Sequence, residues 1–308
     1  MSTPAFNLPS FAKINWSLQI LGRRADGLHE IRTLLQTISL QDQLHFTESE
    51  APTVVLTCND PTIPLGPENL IVRAADALRK RFGVIVGAQV HLKKQIPAQG
   101  GLGGASSNAA VALLGLARLW KLELVPEEFM QLGASLGADV PFFFVGGRAL
   151  AEGTGTQVRA VADEERKHLM IVTPRANVST AAAYKALKAP ALTTSSDATI
   201  LSISHAEADF ELSRLCIPRN DFEEVILASE PEIGGAKKAL LHVGAVSSLL
   251  AGSGSSVFGI FETRQEQERA LREIKAEPGW RVFPAVTVSR REYWQALGLS
   301  GSPLSRSE

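Results

Sequence analysis

At 308 residues, with 45% hydrophobic and 20% charged residues, the chain has the composition of a globular protein long enough for two cores rather than one. Lysine and arginine number 31 against 32 acidic residues, a formal charge of -1, so no basic field exists to draw in nucleic acid or an anionic membrane. The two cysteines, Cys58 and Cys216, stand in neither CxxC nor CxxH spacing, which argues against a disulfide framework or zinc site and fits a reducing cytoplasm.

The opening "MSTPAFNLPSFAKI" lacks a basic segment followed by an apolar one, and no long apolar run follows, so a cytoplasmic protein that is not exported is expected. "FAKINWSLQI" alternates: Ala12, Ile14, Trp16, Leu18 and Ile20 fall on one face of a predicted strand, and Lys13, Asn15, Ser17 and Gln19 on the other. Lys13 and Asn15 then point the same way, about 7 Å apart. "TVVLTC" and "AQVHLKKQI" are further predicted strands, with the amphipathic helix "NLIVRAADALRKRF" between them. "AAVALLGLARLW" carries one charge, so its helix should be apolar all round and central in its domain. "PEEFMQLGASLGADVPFFFVGG" predicts a helix, a loop and a short buried strand.

The second half holds predicted strands at "HLMIVTP", "SSVFGIF" and "WRVFPAVTVS", with helices at "TAAAYKALK" and "EQERALREIKA" and a polar loop at "ALTTSSDATI". The absence of a regular βαβ rhythm makes the fold class α+β. The charge-rich "DEERK" suggests a crossing between domains 1–160 and 161–300, with 301–308 as a disordered tail. A cleft is expected between the two domains.

The segment "IPAQGGLGGASSNAA" sets Gly100, Gly101, Gly103 and Gly104 in front of Ser106, Ser107, Asn108 and the apolar helix. Glycine lets a turn aim several backbone N–H groups at one point, and a helix N-terminus adds unpaired donors and about half a positive charge. Together they form a phosphate cradle; the alternative is a turn that only lets two elements pack closely. The Walker pattern is absent, and no G-x-G-x-x-G stands between a strand and a helix.

"PAQGGLGGASSNAA" resembles the phosphate loop of the GHMP kinases, "FAKINWSLQI" their first motif and "LAGSGSSVFGIF" their third. Within that superfamily, "FAKINWSLQILGRRADGLHEIRTLLQTISLQD", "ENLIVRAA", "LGADVPFFF", "ALAEGTG" and "RNDFEEVI" resemble the 4-diphosphocytidyl-2-C-methyl-D-erythritol kinases. The pieces follow in family order from about Phe11 to Phe261. The resemblance implies an N-terminal domain like the second domain of ribosomal protein S5, a ferredoxin-like C-terminal α/β sandwich, and the nucleotide between them. It implies ATP-dependent phosphorylation of the 2-hydroxyl of the cytidine diphosphate ester of methylerythritol, with Mg²⁺ as cofactor, this small molecule as partner, and a monomer or homodimer. The alternatives are a GHMP kinase for another alcohol, of homoserine or mevalonate type, and a non-catalytic nucleotide-binding protein of the same fold.

Carried over by position, the catalytic pair is Lys13 and Asp139, with Asp139 taking the hydroxyl proton and Lys13 holding it ionised. The ATP phosphates fall to Pro97, Ala98, Gln99, Gly100, Gly101, Leu102, Gly103, Gly104, Ala105, Ser106 and Ser107. The adenine falls to Asn69, Leu70 and Lys94, where Lys94 is equally readable as a strand-end lysine in water. Asn15 is expected near the methylerythritol hydroxyls, Asp26, Leu28 and His29 around the cytidine, and Tyr184 stacked on the cytosine. The Mg²⁺ ligands stay open, Ser106 and Ser107 being candidates. Three positions depart from the family pattern: Leu28 replaces a tyrosine that forms the cytosine wall opposite Tyr184, and Gln99 and Ala105 replace loop glycines.

Overall fold

Two sheets organise the chain in the computed structural model, which describes residues 5–187, 189–192, 218–299 and 301. The first contains β1 (Ala5–Arg23), β2 (His29–Ser49), β3 (Val54–Cys58), β4 (Gly87–Lys93), β5 (Arg148–Gly153), β6 (Gln157–Ala160) and β8 (Arg219–Asn220). Its order is β3-β4-β2-β1-β8, with β5 on β2 and β6 on β5. The second contains β7 (His168–Thr173), β9 (Ser247–Leu250), β10 (Val257–Phe261) and β11 (Arg281–Val286), antiparallel throughout in the order β11-β7-β10-β9.

Eight helices among the described residues complete the fold: α1 (Leu70–Phe82), α2 (Gly104–Leu119), α3 (Pro126–Leu136), α4 (Thr180–Leu187), α5 (Glu223–Ser229), α6 (Pro231–His242), α7 (Arg264–Glu273) and α8 (Arg290–Ala296). The composition of α2 matches its place: every residue except Ala105, Ser106 and Arg118 is buried, against α1, β1 and β2. Helix α1 begins where the Asn69 side chain accepts the Ile71 N–H and stops at Gly83, whose φ of 66° is left-handed.

Two local expectations change. "PFFF" is a single 3-10 turn (Pro141–Phe144) rather than a strand. Proline supplies no ladder N–H and its fixed φ suits a helical turn, while a buried apolar run does not by itself distinguish strand from helix. The alternation along β1 also breaks. Asn15 faces Leu35 and Ser17 faces Leu34, so Trp16 is an extra, bulged residue. Beyond it the pattern changes phase, and Leu18 joins Lys13 and Asn15 on the cavity side instead of opposing them.

Residues beyond 160 return to the first core. β8 runs parallel to β1, with Ser17 opposite Arg219. Tyr293 and Trp294 of α8 are buried beside the phenylalanines of the 3-10 turn, the Tyr293 hydroxyl donating to the Phe143 carbonyl at 2.8 Å and Trp294 Nε1 to that of Val145 at 3.2 Å. The expected polar loop past Leu192, the expected tail past Gly301, and Cys216 lie outside the described residues.

Helix α2 reaches its depth because Gly115 meets the Phe46 ring: a Cβ there would stand 2.3 Å from Cζ. Gly115→Ala gains up to about 1 kcal/mol of helix propensity but overpacks a closed core, at about 1–3 kcal/mol. Net destabilisation is expected, read as a lower denaturation midpoint at unchanged m-value.

Candidate active site

The glycine loop leaves β4 and runs between β1 and the β9–β10 loop of the second sheet. Gly101 has φ 73°, and a Cβ on it would lie 2.0 Å from the Ala251 carbonyl oxygen. Gly103 has φ 70°, and a Cβ there would lie 2.8 Å from Lys13 Cγ. Side chains fit neither the conformation nor the space. The Leu102 carbonyl accepts the Lys13 N–H at 2.9 Å, the Gly100 carbonyl accepts the Ser256 N–H at 3.2 Å, and the Leu102 side chain is buried among Ala12, Ile14 and Phe258. With its carbonyls and one side chain fastened on the protein side, the loop leads into α2, which starts at Gly103 without a side-chain cap. The first N–H groups of a helix have no partners within it, so they remain available to an anion.

A cavity of about 550 Å³ collects these groups. Pro97 through Ser106 line it, together with Asn69, Leu70, Lys94, Lys13, Asn15, Asp139, Tyr184, Gly252 and Ser253. Asp139 follows α3 in the turn that precedes the 3-10 segment. Its Oδ2 stands 3.3 Å from Lys13 Nζ. The Lys13 residue is 3% exposed, whereas the Asp139 side chain is 41% exposed, so the cation is buried and the carboxylate opens to the cavity.

Lys13 also donates to Asn15 Oδ1 at 2.9 Å, Asn15 Nδ2 donates to Thr33 Oγ1 at 2.7 Å, and the Thr33 hydroxyl donates to the Ser17 carbonyl at 2.7 Å. This one-way chain fixes which end of the Asn15 amide meets the ammonium. With two acceptors engaged, one of the three ammonium protons remains for a ligand oxygen. From the second half, buried Asn220 donates to the carbonyls of Leu250 and Gly252 at 2.9 and 2.7 Å and holds the third glycine segment beside Lys13.

At the expected adenine end, the Asn69 amide is committed to capping Ile71 and to the Pro64 carbonyl at 2.7 Å, so its side chain serves loop shape. The Lys94 side chain is 6% exposed and pairs with Asp42 at 2.8 Å, which removes the reading of a strand-end lysine in water. Burial pulls its pKa below the usual 10.5, and Asp42 opposes the shift. Ser106 lines the cavity. Ser107 does not; it is fully buried and accepts from the Ser10 hydroxyl at 2.8 Å. Gln99 holds φ 54°, the left-handed conformation glycine favours, while Ala105 lies in α2 with its methyl exposed.

At the expected cytidine end, Asp26 shapes the β1–β2 turn, accepting from the Leu28 N–H at 3.0 Å and Arg24 Nε at 3.3 Å. Leu28 is 54% exposed at the turn. The ring facing Tyr184 is His29, stacked at 4.5 Å between centroids and 24° between planes. This corrects the expectation that Leu28 forms the opposing wall: His29 is the first residue of β2, while its neighbour stays in the solvent-facing turn. Tyr184 lines the cavity; Asp26, Leu28 and His29 lie beyond its lining. Burial, aided by Arg23, pushes the His29 pKa below 6.5 and favours the neutral ring. Burial first, then the charge of Asp139, raises Tyr184 to about 12, so its phenol stays protonated.

Residues 69–147 match the GHMP kinases N terminal domain, and residues 203–279 the GHMP kinases C terminal domain. A protein from Geotalea daltonii described as 4-diphosphocytidyl-2-C-methyl-D-erythritol kinase is 41% identical over 278 residues, 90% of this chain and 97% of its own. One of the same description from Citrifermentans bemidjiense is 40% identical over 270 residues, 87% and 94% of the two chains. The chain belongs to the 4-diphosphocytidyl-2-C-methyl-D-erythritol kinase family of GHMP kinases. A crystal structure of 4-(cytidine 5'-diphospho)-2C-methyl-D-erythritol kinase superposes with a TM-score of 0.71 at 30% identity, covering 92% of this chain and 99% of that one. The chain therefore has the two-domain GHMP kinase fold, and the enzyme is a phosphotransferase acting on an alcohol.

Thr33, Leu18, Asn220 and Asp42 carry no sequence signal as site residues beyond their motif neighbours; a strand threonine or a buried aspartate acquires its role only from what folds against it. Thr33→Val removes the acceptor that orients Asn15 while keeping side-chain volume, and is expected to lower kcat about tenfold with ATP binding unchanged. Gly101→Ala should abolish detectable ATP binding by calorimetry, whereas Ala105→Gly should change the ATP dissociation constant by less than about threefold.

Proposed function

We propose that the enzyme transfers the γ-phosphoryl group of ATP to the 2-hydroxyl of 4-diphosphocytidyl-2-C-methyl-D-erythritol, releasing ADP and the 2-phosphate, in the methylerythritol phosphate route to isopentenyl diphosphate. The observation that carries the reading is the Lys13–Asp139 pair at 3.3 Å in the same cavity as the glycine loop. Relatives at about 40% identity with that activity in their descriptions support the acceptor, in preference to homoserine or mevalonate.

In this reading ATP lies along Pro97–Ser106, its phosphate oxygens against the loop N–H groups and the α2 N-terminus. Asp139 accepts the proton of the acceptor hydroxyl as the new O–P bond forms and the bond to ADP breaks. Lys13 lies against the Asp139 carboxylate and offers its remaining N–H to the migrating phosphoryl group. Asn15 meets the sugar hydroxyls, and the cytosine packs against Tyr184, whose ring His29 backs from outside the cavity. A half-exposed carboxylate suits a base that must meet solvent after turnover, whereas the buried ammonium stays oriented through Asn15 and Thr33.

Mg²⁺ supplies charge neutralisation to the phosphate oxygens when it is bound with ATP. Among the described residues no group of three or more His, Cys, Asp or Glu side chains forms a cation site, and the Ser106 hydroxyl, which lines the cavity, is the oxygen donor that would hold the ion. It fits, because Mg²⁺ keeps most of its water and phosphate ligands and takes one or two protein oxygens. No described helix is long and apolar enough to cross a membrane.

An ADP-release assay across the cytidine diphosphate ester, mevalonate and homoserine tests the acceptor; turnover of mevalonate without the cytidine ester overturns it. Asp139→Asn is expected to lower kcat by about 10²–10⁴-fold while ATP still binds, and unchanged turnover would remove Asp139 from the base role. His29→Ala should raise the KM of the cytidine substrate with the KM of ATP unmoved, as loss of the ring that backs Tyr184 requires.

A further inference from the structure

The Asp42 carboxylate is fully buried, and four donors surround it. Oδ1 accepts the N–H groups of Gln95 at 2.7 Å and Ile96 at 2.8 Å, while Oδ2 accepts Lys94 Nζ at 2.8 Å and Asn108 Nδ2 at 3.0 Å. Three of these donors sit in the segment that leads from β4 into the glycine loop, and the fourth sits on α2, into which the loop runs. Lys94 in turn donates to the Ile96 carbonyl, so this lead-in is tied to itself as well as to Asp42.

Opposite Asp42 across the β1–β2 pair stands Ser10, whose hydroxyl donates to Ser107. Neighbouring residues of the strand pair thus reach neighbouring residues of α2. The Asn108 carbonyl oxygen Oδ1 is buried and has no hydrogen-bond partner among the described residues, so the bond to Asp42 alone orients that amide. A carboxylate whose lone-pair sites all meet fixed donors is a rigid junction, because rotating it would break several charge-assisted bonds at once. Its donors frame the glycine loop on both sides, and none of them belongs to the acceptor end of the cavity.

We propose that Asp42 is a positioning residue for phosphoryl transfer, setting the distance between the lead-in at Gln95–Ile96 and the α2 N-terminus so that the loop N–H groups converge on the ATP phosphates. Asp42 touches neither substrate. It acts through Lys94, Asn108 and the backbone between them. The inference rests on the proposed ATP site.

The test measures ATP binding by calorimetry, which needs no acceptor, beside the steady-state KM of each substrate and the unfolding midpoint. Asp42→Asn keeps the volume but faces an amide group toward Lys94 and two N–H donors. The dissociation constant of ATP is expected to rise at least about tenfold, with the KM of the cytidine substrate within about twofold of wild type. Asn108→Ala, which leaves the Lys94 pair intact, is expected to shift ATP binding in the same direction by about threefold or more, and it decides the matter if Asp42→Asn does not fold. Unchanged ATP binding in Asn108→Ala overturns the proposal, as does a parallel loss toward both substrates that tracks the unfolding midpoint. Failure of the wild-type protein to bind ATP would instead overturn the proposed function itself.

Discussion

A carboxylate withdrawn from water destabilises a fold by several kcal/mol unless donors replace the lost solvent, and Asp42 meets that condition with four of them. The cost of leaving any one unpaired binds two separate chain segments to β2: the Lys94–Ile96 lead-in to the glycine loop and the second turn of α2. Since β1 lies against β2, Lys13 inherits a fixed position relative to the loop. Its own N–H closes the arrangement by donating to the Leu102 carbonyl.

The remainder of the site uses small numbers of charges at short range, in keeping with a chain of formal charge -1. Lys13 is buried, and its ammonium is balanced by Asp139 and Asn15. Lys94 is balanced by Asp42. Neither ammonium makes a long-range field, so selection of an anionic ligand depends on backbone dipoles aimed at close quarters. At the opposite end, His29 and Tyr184 are held in neutral forms by burial and offer π-faces rather than charge.

Much of the fold was legible because period and composition report burial. The near-complete burial of α2, the amphipathic α1 and the strands β4, β7, β10 and β11 follow from spacing alone. The glycine loop was legible because four glycines in five residues need a backbone reason, and Gly101 and Gly103 display it as positive φ and absent space for a Cβ. Period fails where the local rule changes. Trp16 inserts one residue and turns Leu18 to the cavity, and Pro141 converts an apolar run into a 3-10 turn. Neither the position of a bulge nor the choice between a short strand and a turn is encoded in polarity.

The sequence by itself determined the α+β class, the glycine loop that opens into a buried helix and, through motif resemblance, the pairing of Lys13 with Asp139, because each is carried by residues in contiguous patterns. Only the tertiary structure decided that Lys94 is a buried counter-charge to Asp42, that Asn69 serves as a cap, that His29 rather than Leu28 faces Tyr184, and that Thr33 and Asn220 orient the machinery. Those roles come from contacts between residues 15 or more positions apart, or from backbone geometry at one turn. A linear pattern of polar and apolar residues records neither, since it registers how deeply a side chain is buried and not which partner meets it there.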